Sequence, residues 1–126
     1  MILICKCINS NPEPESEDCL FLNVFVPSTI KPDDKMAVMV WIHGGGFSYS
    51  SSTEFPGSIL ASFNDIIVVT FNYRLGILGF FNIPETEIKG NYGMLDQVYK
   101  WYLITLIISW VTNYSLILAR NFSVNL

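Results

Sequence analysis

The chain has 126 residues, a formal net charge of -4 and a pI near 4.7, a size that suits one small domain or part of a larger one. Its seven Lys and Arg residues are scattered and form no basic stripe, which argues against a nucleic-acid partner, since a phosphate backbone is held by clustered cations. Hydrophobic residues make up 51 % and the mean hydropathy is +0.40; that is ample for a core and high for a free-standing soluble domain.

In chain order, Met1 to Lys6 holds too few apolar residues for the core of a signal peptide. The chain therefore reads as cytosolic or as lacking its true start. Three cysteines follow, Cys5, Cys7 and Cys19, enough for one pair with one left over. Residues 1–18 read as an irregular segment, with a polar surface loop from Asn9 to Asp18 that carries two prolines. Leu20 to Val26 alternates in the period-two manner of a strand, and Pro27 ends it. Pro32 to Lys35 is turn material. Met36 to Ile42 is a continuous apolar run and predicts a buried strand. A short helix is predicted over Gly57–Phe63, a turn at Asn64-Asp65, and a second buried strand over Ile66–Phe71. Strand, helix and strand at this spacing form a βαβ unit, so the class is α/β with 36–42 and 66–71 in one sheet. Strand 20–26 is expected to pair antiparallel with 36–42, its neighbour in sequence. Residues 19–97 read as a partial domain and 98–126 as a divergent hydrophobic tail.

The chemistry is concentrated where the first apolar run enters His43-Gly44-Gly45-Gly46-Phe47. Three residues without Cβ let the backbone turn sharply and present N–H groups outward. Such donors can stabilise an oxyanion, each contributing about 3–4 kcal/mol. A plain glycine turn is the competing reading of that tripeptide.

Four segments decide between the two. Glu17-Asp18-Cys19-Leu20-Phe21-Leu22-Asn23-Val24 resembles the EDCLxLNV signature of the type-B carboxylesterase/cholinesterase family, and Val40 to Phe47 resembles its oxyanion segment. Asn72 to Phe80 (NYRLGILGF) resembles its NYRxGxxGF segment, and Gly90 to Gln97 (GNYGMLDQ) its GNxGxxDQ segment. The resemblance covers about Cys7 to Gln97. It implies a partial α/β-hydrolase fold, a mixed central sheet with flanking helices, truncated at both ends. It also implies a serine carboxylic-ester hydrolase acting on small esters without metal or cofactor.

Residue by residue, the resemblance implies that Gly45 and Gly46 supply oxyanion-hole N–H groups and that His43 and Gly44 shape the loop. His43, the only histidine, is read as structural, because it has no neighbouring nucleophile. Arg74 and Asp96 match a buried structural ion pair, whose disruption costs about 3–5 kcal/mol. Cys19 matches the second cysteine of a family disulfide, with Cys7 the better candidate for its partner. The loop between them has no tryptophan for a choline cation, so a general carboxylesterase relative is implied.

No catalytic residue is assigned. The last glycine is Gly93 and Ser123 lies in Asn-Phe-Ser-Val, so the chain contains no GxSxG nucleophile elbow. The acid and the general base of the triad are missing with it. The expectation is an inactive esterase-like chain, prone to fold poorly because its sheet faces lack cover. A non-catalytic adhesion relative of the neuroligin type is the alternative. The tail from Tyr102 to Ala119 is uncharged and approaches the length of a membrane helix, though polar residues dilute it. That permits a small membrane-anchored protein. The competing account is a reading frame that departs from the family after Gln97.

Overall fold

The structure is a computed structural model that describes residues 18–31, 34–114 and 121–124, with only the backbone of 110–114 and 121–124. The N-terminal segment up to residue 17, with Cys5, Cys7 and Glu17, lies outside the described residues, as do 115–120 of the tail.

Four strands form one mixed sheet: β1 (Leu22–Phe25), β2 (Val38–Ile42), β3 (Ile67–Phe71) and β4 (Asn121–Val124), in the spatial order β2-β3-β1-β4. The βαβ unit is present. Helix α1 (Gly57–Asn64) carries the chain from β2 to β3, which lie parallel with Val40 opposite Val69. Asp65 ends α1 in the left-handed conformation, as the Asn-Asp pair predicts.

Two expectations are corrected. Strand β1 does not pair with β2; it lies antiparallel to β3, Leu22 against Phe71 and Val24 against Val69. The reason is in the side chains. β3 is buried along its whole length and needs a strand on each edge. β1 offers Asn23, whose amide donates to Thr70 Oγ1 (3.2 Å) and to Ser52 Oγ (3.3 Å), a buried polar match that fixes the register. Strand β2 is not buried. No strand covers its outer edge among the described residues, and Met39, Trp41 and Ile42 are 43, 38 and 45 % exposed. An uninterrupted apolar run describes a central strand well, but it cannot say which neighbours are there to cover it.

Alternation along the strands divides the cover. Leu22, Val24, Ile67, Val69 and Phe71 face a long helix, α3 (Tyr92–Tyr114), and pack with Ile104, Tyr73 and Leu75 in the core. Phe25 and Val68 face α1, where Gly57 lets the helix sit close: a Cβ there would stand 2.6 Å from the Phe25 ring. Helix α3 runs unbroken past position 97, so the tail begins inside an ordered element. Lys100, Ile104, Ile107 and Ile108 share one side of it. Ile104 is buried, Ile107 and Ile108 are half-buried against the core, and Lys100 is 2 % exposed with its ammonium donating to the Leu20 carbonyl. No helix of the described residues is long and apolar enough to cross a membrane.

Candidate functional site

The glycine loop leaves the C-terminal end of β2, beside the segment that leaves β3. Position 43 comes first. His43 is 2 % exposed, and its Nδ1 lies 3.0 Å from the Gly44 carbonyl oxygen. A carbonyl only accepts, so Nδ1 carries the proton and Nε2 the lone pair. Nε2 is buried and meets no hydrogen-bond partner among the described residues. Burial pushes the His43 pKa below its ordinary value, against the Gly44 carbonyl and the charge of Glu54, which raise it. The ring is therefore neutral at pH 7 and enclosed.

The turn itself needs glycine. Gly45 has φ 109° and Gly46 φ 60°, both positive, where residues with a Cβ are strained. A Cβ on Gly45 would run into the Tyr49 carbonyl, whereas Gly44 and Gly46 have open space around theirs. The Gly45 carbonyl closes the turn by accepting from the N–H groups of Ser48 (3.0 Å) and Tyr49 (3.3 Å), and Ser48 Oγ donates to the Gly46 carbonyl (3.2 Å). None of the described hydrogen bonds uses the N–H of Gly45 or of Gly46. With Gly46 exposed and Gly45 half-exposed, this is a surface turn with donors to spare.

Both ends of the glycine run are tied to one short stretch after β3. Before it, the Tyr73 hydroxyl donates to the His43 carbonyl at 2.8 Å, and the two rings stack at 4.6 Å and 16°. After it, the Gly76 N–H donates to the Phe47 carbonyl at 2.6 Å. Gly76 opens a short helix, α2 (Gly76–Phe80), and the Phe47 ring lies 4.9 Å from Phe80. Burial raises the Tyr73 pKa, which keeps the phenol protonated and able to donate.

The next residue, Arg74, meets Asp96 on α3 at 2.6 Å, with the Tyr92 ring 5.1 Å from its guanidinium. The expected burial of this pair is only partial: the Arg74 side chain is 40 % exposed and that of Asp96 10 %. Gly93 makes the approach possible, since a Cβ there would collide with the Arg74 carbonyl and the Phe80 ring.

Of the candidate residues, the structure therefore brings His43, Gly44, Gly45 and Gly46 into one loop and Arg74 onto Asp96. Cys7, the expected partner of Cys19, lies outside the described residues, and Cys19 itself is buried. Among the described residues no cluster of three or more His, Cys, Asp or Glu could hold a metal ion. Sequence reasoning passed over three residues. Asn72, fully buried, accepts from the Ser52 N–H (2.8 Å) and donates to the Cys19 carbonyl (2.9 Å). Tyr73 and Lys100 are the others. Asn72 and Tyr73 were visible as part of NYR, where a polar pair directly after an apolar strand signals buried hydrogen bonds; Lys100 carried no such signal.

A mixed sheet with a helix on each face and a glycine loop at a strand end defines a partial α/β-hydrolase fold. Solved esterases share it: one described as PNB esterase superposes with a TM-score of 0.63 at 43 % identity, over 77 % of this chain and 22 % of that one. The model of the carboxylesterase family matches residues 5–109, and the chain belongs to that family. Among its relatives, pyrethroid hydrolase Ces2e of Rattus norvegicus is 46 % identical over 72 % of this chain and 16 % of its own length. Cocaine esterase of Oryctolagus cuniculus is 49 % identical over 68 % of this chain and 16 % of its own. The chain thus spans about a sixth of the length of the curated relatives it matches.

Proposed function

We propose that this chain carries the oxyanion loop of a serine carboxylic-ester hydrolase, with the N–H groups of Gly45 and Gly46 as donors to the carbonyl oxygen of a small ester. The observation that carries the reading is the turn in which these two N–H groups make no described internal hydrogen bond, held in place at both ends. Donors fixed before the reaction stabilise developing negative charge without reorganising, which is why such loops accelerate acyl transfer. The 126 residues contain no GxSxG elbow and no histidine other than the enclosed His43. By themselves they supply the donors and neither nucleophile nor base. Cys7 is the proposed partner of Cys19, which is buried and is not a titrating thiol.

Two experiments test this. The purified chain is expected to show no p-nitrophenyl acetate hydrolysis that an organophosphate abolishes; such turnover would show that the nucleophile is present after all. Substituting residues 19–97 for the matching stretch of a PNB esterase is expected to give an active chimera. In that chimera Gly45→Ala keeps the N–H but forces it out of place, because its Cβ would run into the Tyr49 carbonyl, and should lower kcat about 10²–10³-fold, the range for loss of an oxyanion donor. A chimera indifferent to Gly45→Ala removes the assignment.

A further inference from the structure

We infer that Tyr73 is the positioning residue of the glycine loop, an assignment that rests on reading Gly45 and Gly46 as oxyanion donors. Three contacts converge on it. Its hydroxyl donates to the carbonyl of His43, the residue directly before the glycines. Its ring lies flat against the His43 ring at 4.6 Å. Its ring and that of Phe47, the residue directly after the glycines, lie edge to face with centroids 6.4 Å apart. One buried side chain thus touches both ends of a run whose own residues have no side chains with which to hold themselves.

The physics of the loop makes such a residue necessary. Glycine loses more conformational freedom on ordering than any other residue, and the described bonds to these three go only to their carbonyls: two into Gly45, one from Ser48 Oγ into Gly46 and one from His43 Nδ1 into Gly44. Donors that wander contribute little, because their value lies in being aimed beforehand. Tyr73 answers this from a fixed place. It follows β3, the most buried strand, and precedes Arg74, whose backbone N–H is itself held by Asp96 at 2.9 Å. The chain of contacts runs Asp96, Arg74, Tyr73, His43, Gly44. Tyr73 is a positioning residue and not a catalytic one: it is 2 % exposed and its hydroxyl is already committed to the His43 carbonyl.

The test compares the full chain with its Tyr73→Phe variant, which removes one oxygen and keeps the stacked ring. Backbone 15N relaxation should give Gly45 and Gly46 order parameters near 0.85 in the parent, the rigid range, and below about 0.6 in the variant. Residues of β1 and β3 should not change. Equal order parameters in both proteins overturn the assignment, and so does a loss of order spread evenly over loop and sheet. Where the variant does not fold, the parent still answers. Cross-relaxation between the Tyr73 ring protons and the ring protons of both His43 and Phe47 is expected, and its absence overturns the assignment. The measurement reads backbone order rather than ester chemistry. A chimera insensitive to Gly45→Ala would sink the oxyanion reading while these order parameters separately decide what Tyr73 does.

Discussion

Asp96 grips Arg74 by both backbone and side chain. One carboxylate oxygen accepts from the Arg74 N–H at 2.9 Å and from Nε at 2.7 Å, and the other accepts from Nη2 at 2.6 Å. The grip joins the start of α3 to the stretch that carries Tyr73 and Gly76. Asp96→Ala leaves a backbone N–H and a guanidinium without their acceptor. A charged hydrogen bond contributes about 1.5–3 kcal/mol, and the exposed side of the guanidinium is screened by water and recovers part of the loss. The expected cost is about 1–3 kcal/mol, read from the shift of the urea midpoint. An unchanged midpoint would show that the pair contributes nothing to stability.

The glycines of the loop should not tolerate substitution equally. Gly45→Ala meets the Tyr49 carbonyl as well as an unfavourable φ, whereas Gly46→Ala meets only the left-handed backbone, a cost of about 1–2 kcal/mol. Gly45→Ala is therefore expected to be the more destabilising in thermal melts, with chemical-shift changes reaching Ser48 and Tyr49. Equal melting temperatures for the two variants would contradict the turn described above.

Two buried bases each make the stability of the chain rise with pH, in separate windows. Burial holds His43 below 6.5, so as pH falls below 6.5 the unfolded chain takes up a proton that the folded chain refuses. Stability contributed by the neutral ring is present above pH 6.5 and is lost on acidification. Burial likewise lowers Lys100 from 10.5 to about 8, against the attraction of Asp96. Between pH 8 and 10.5 the unfolded chain binds the extra proton, so this group makes stability rise with pH across that window. In melts at pH 7.5, 8.5 and 9.5, Tm should climb in the parent and climb less in Lys100→Met. Parallel curves would show that Lys100 ionises freely in the folded chain.

The helix that enters the tail should behave as part of the core. Ile104→Ala removes a buried side chain packed on Val24 and Val69 and should cost about 2–5 kcal/mol. Tyr102→Ala, on the exposed side of the same helix, should cost far less. Similar losses from both would mean that the helix does not pack on the sheet in solution.

The sequence made some of this legible and hid the rest for identifiable reasons. The βαβ unit could be read because β2 and β3 are apolar runs joined by a helix-length segment, and a parallel neighbour needs such a crossover. The place of β1 could not. Its partner was decided by Asn23 finding Thr70 and Ser52, residues 47 and 29 positions away, and no local pattern reports such a match. Glycines at 45 and 46 announced an unusual backbone, since few other residues adopt positive φ. What holds them did not show, because Tyr73 resembles any other core aromatic until its hydroxyl is seen on the His43 carbonyl. The tail was ambiguous for a related reason. An uncharged stretch suits a bilayer or a core equally, and Lys100, which marks its start, is itself buried.

The 30 positions between His43 and Tyr73 have a bearing on how the chain is made. Translation proceeds at about 5–20 residues per second, so the glycine run leaves the ribosome seconds before the residue that braces it, and before Asp96. During that interval the run is a loose tether between two strands. It takes its shape only when the later segment arrives, so the loop matures by docking rather than by local folding. Nascent chains arrested before and after residue 76 should differ in protease cleavage at Gly44–Phe47, with protection confined to the longer ones.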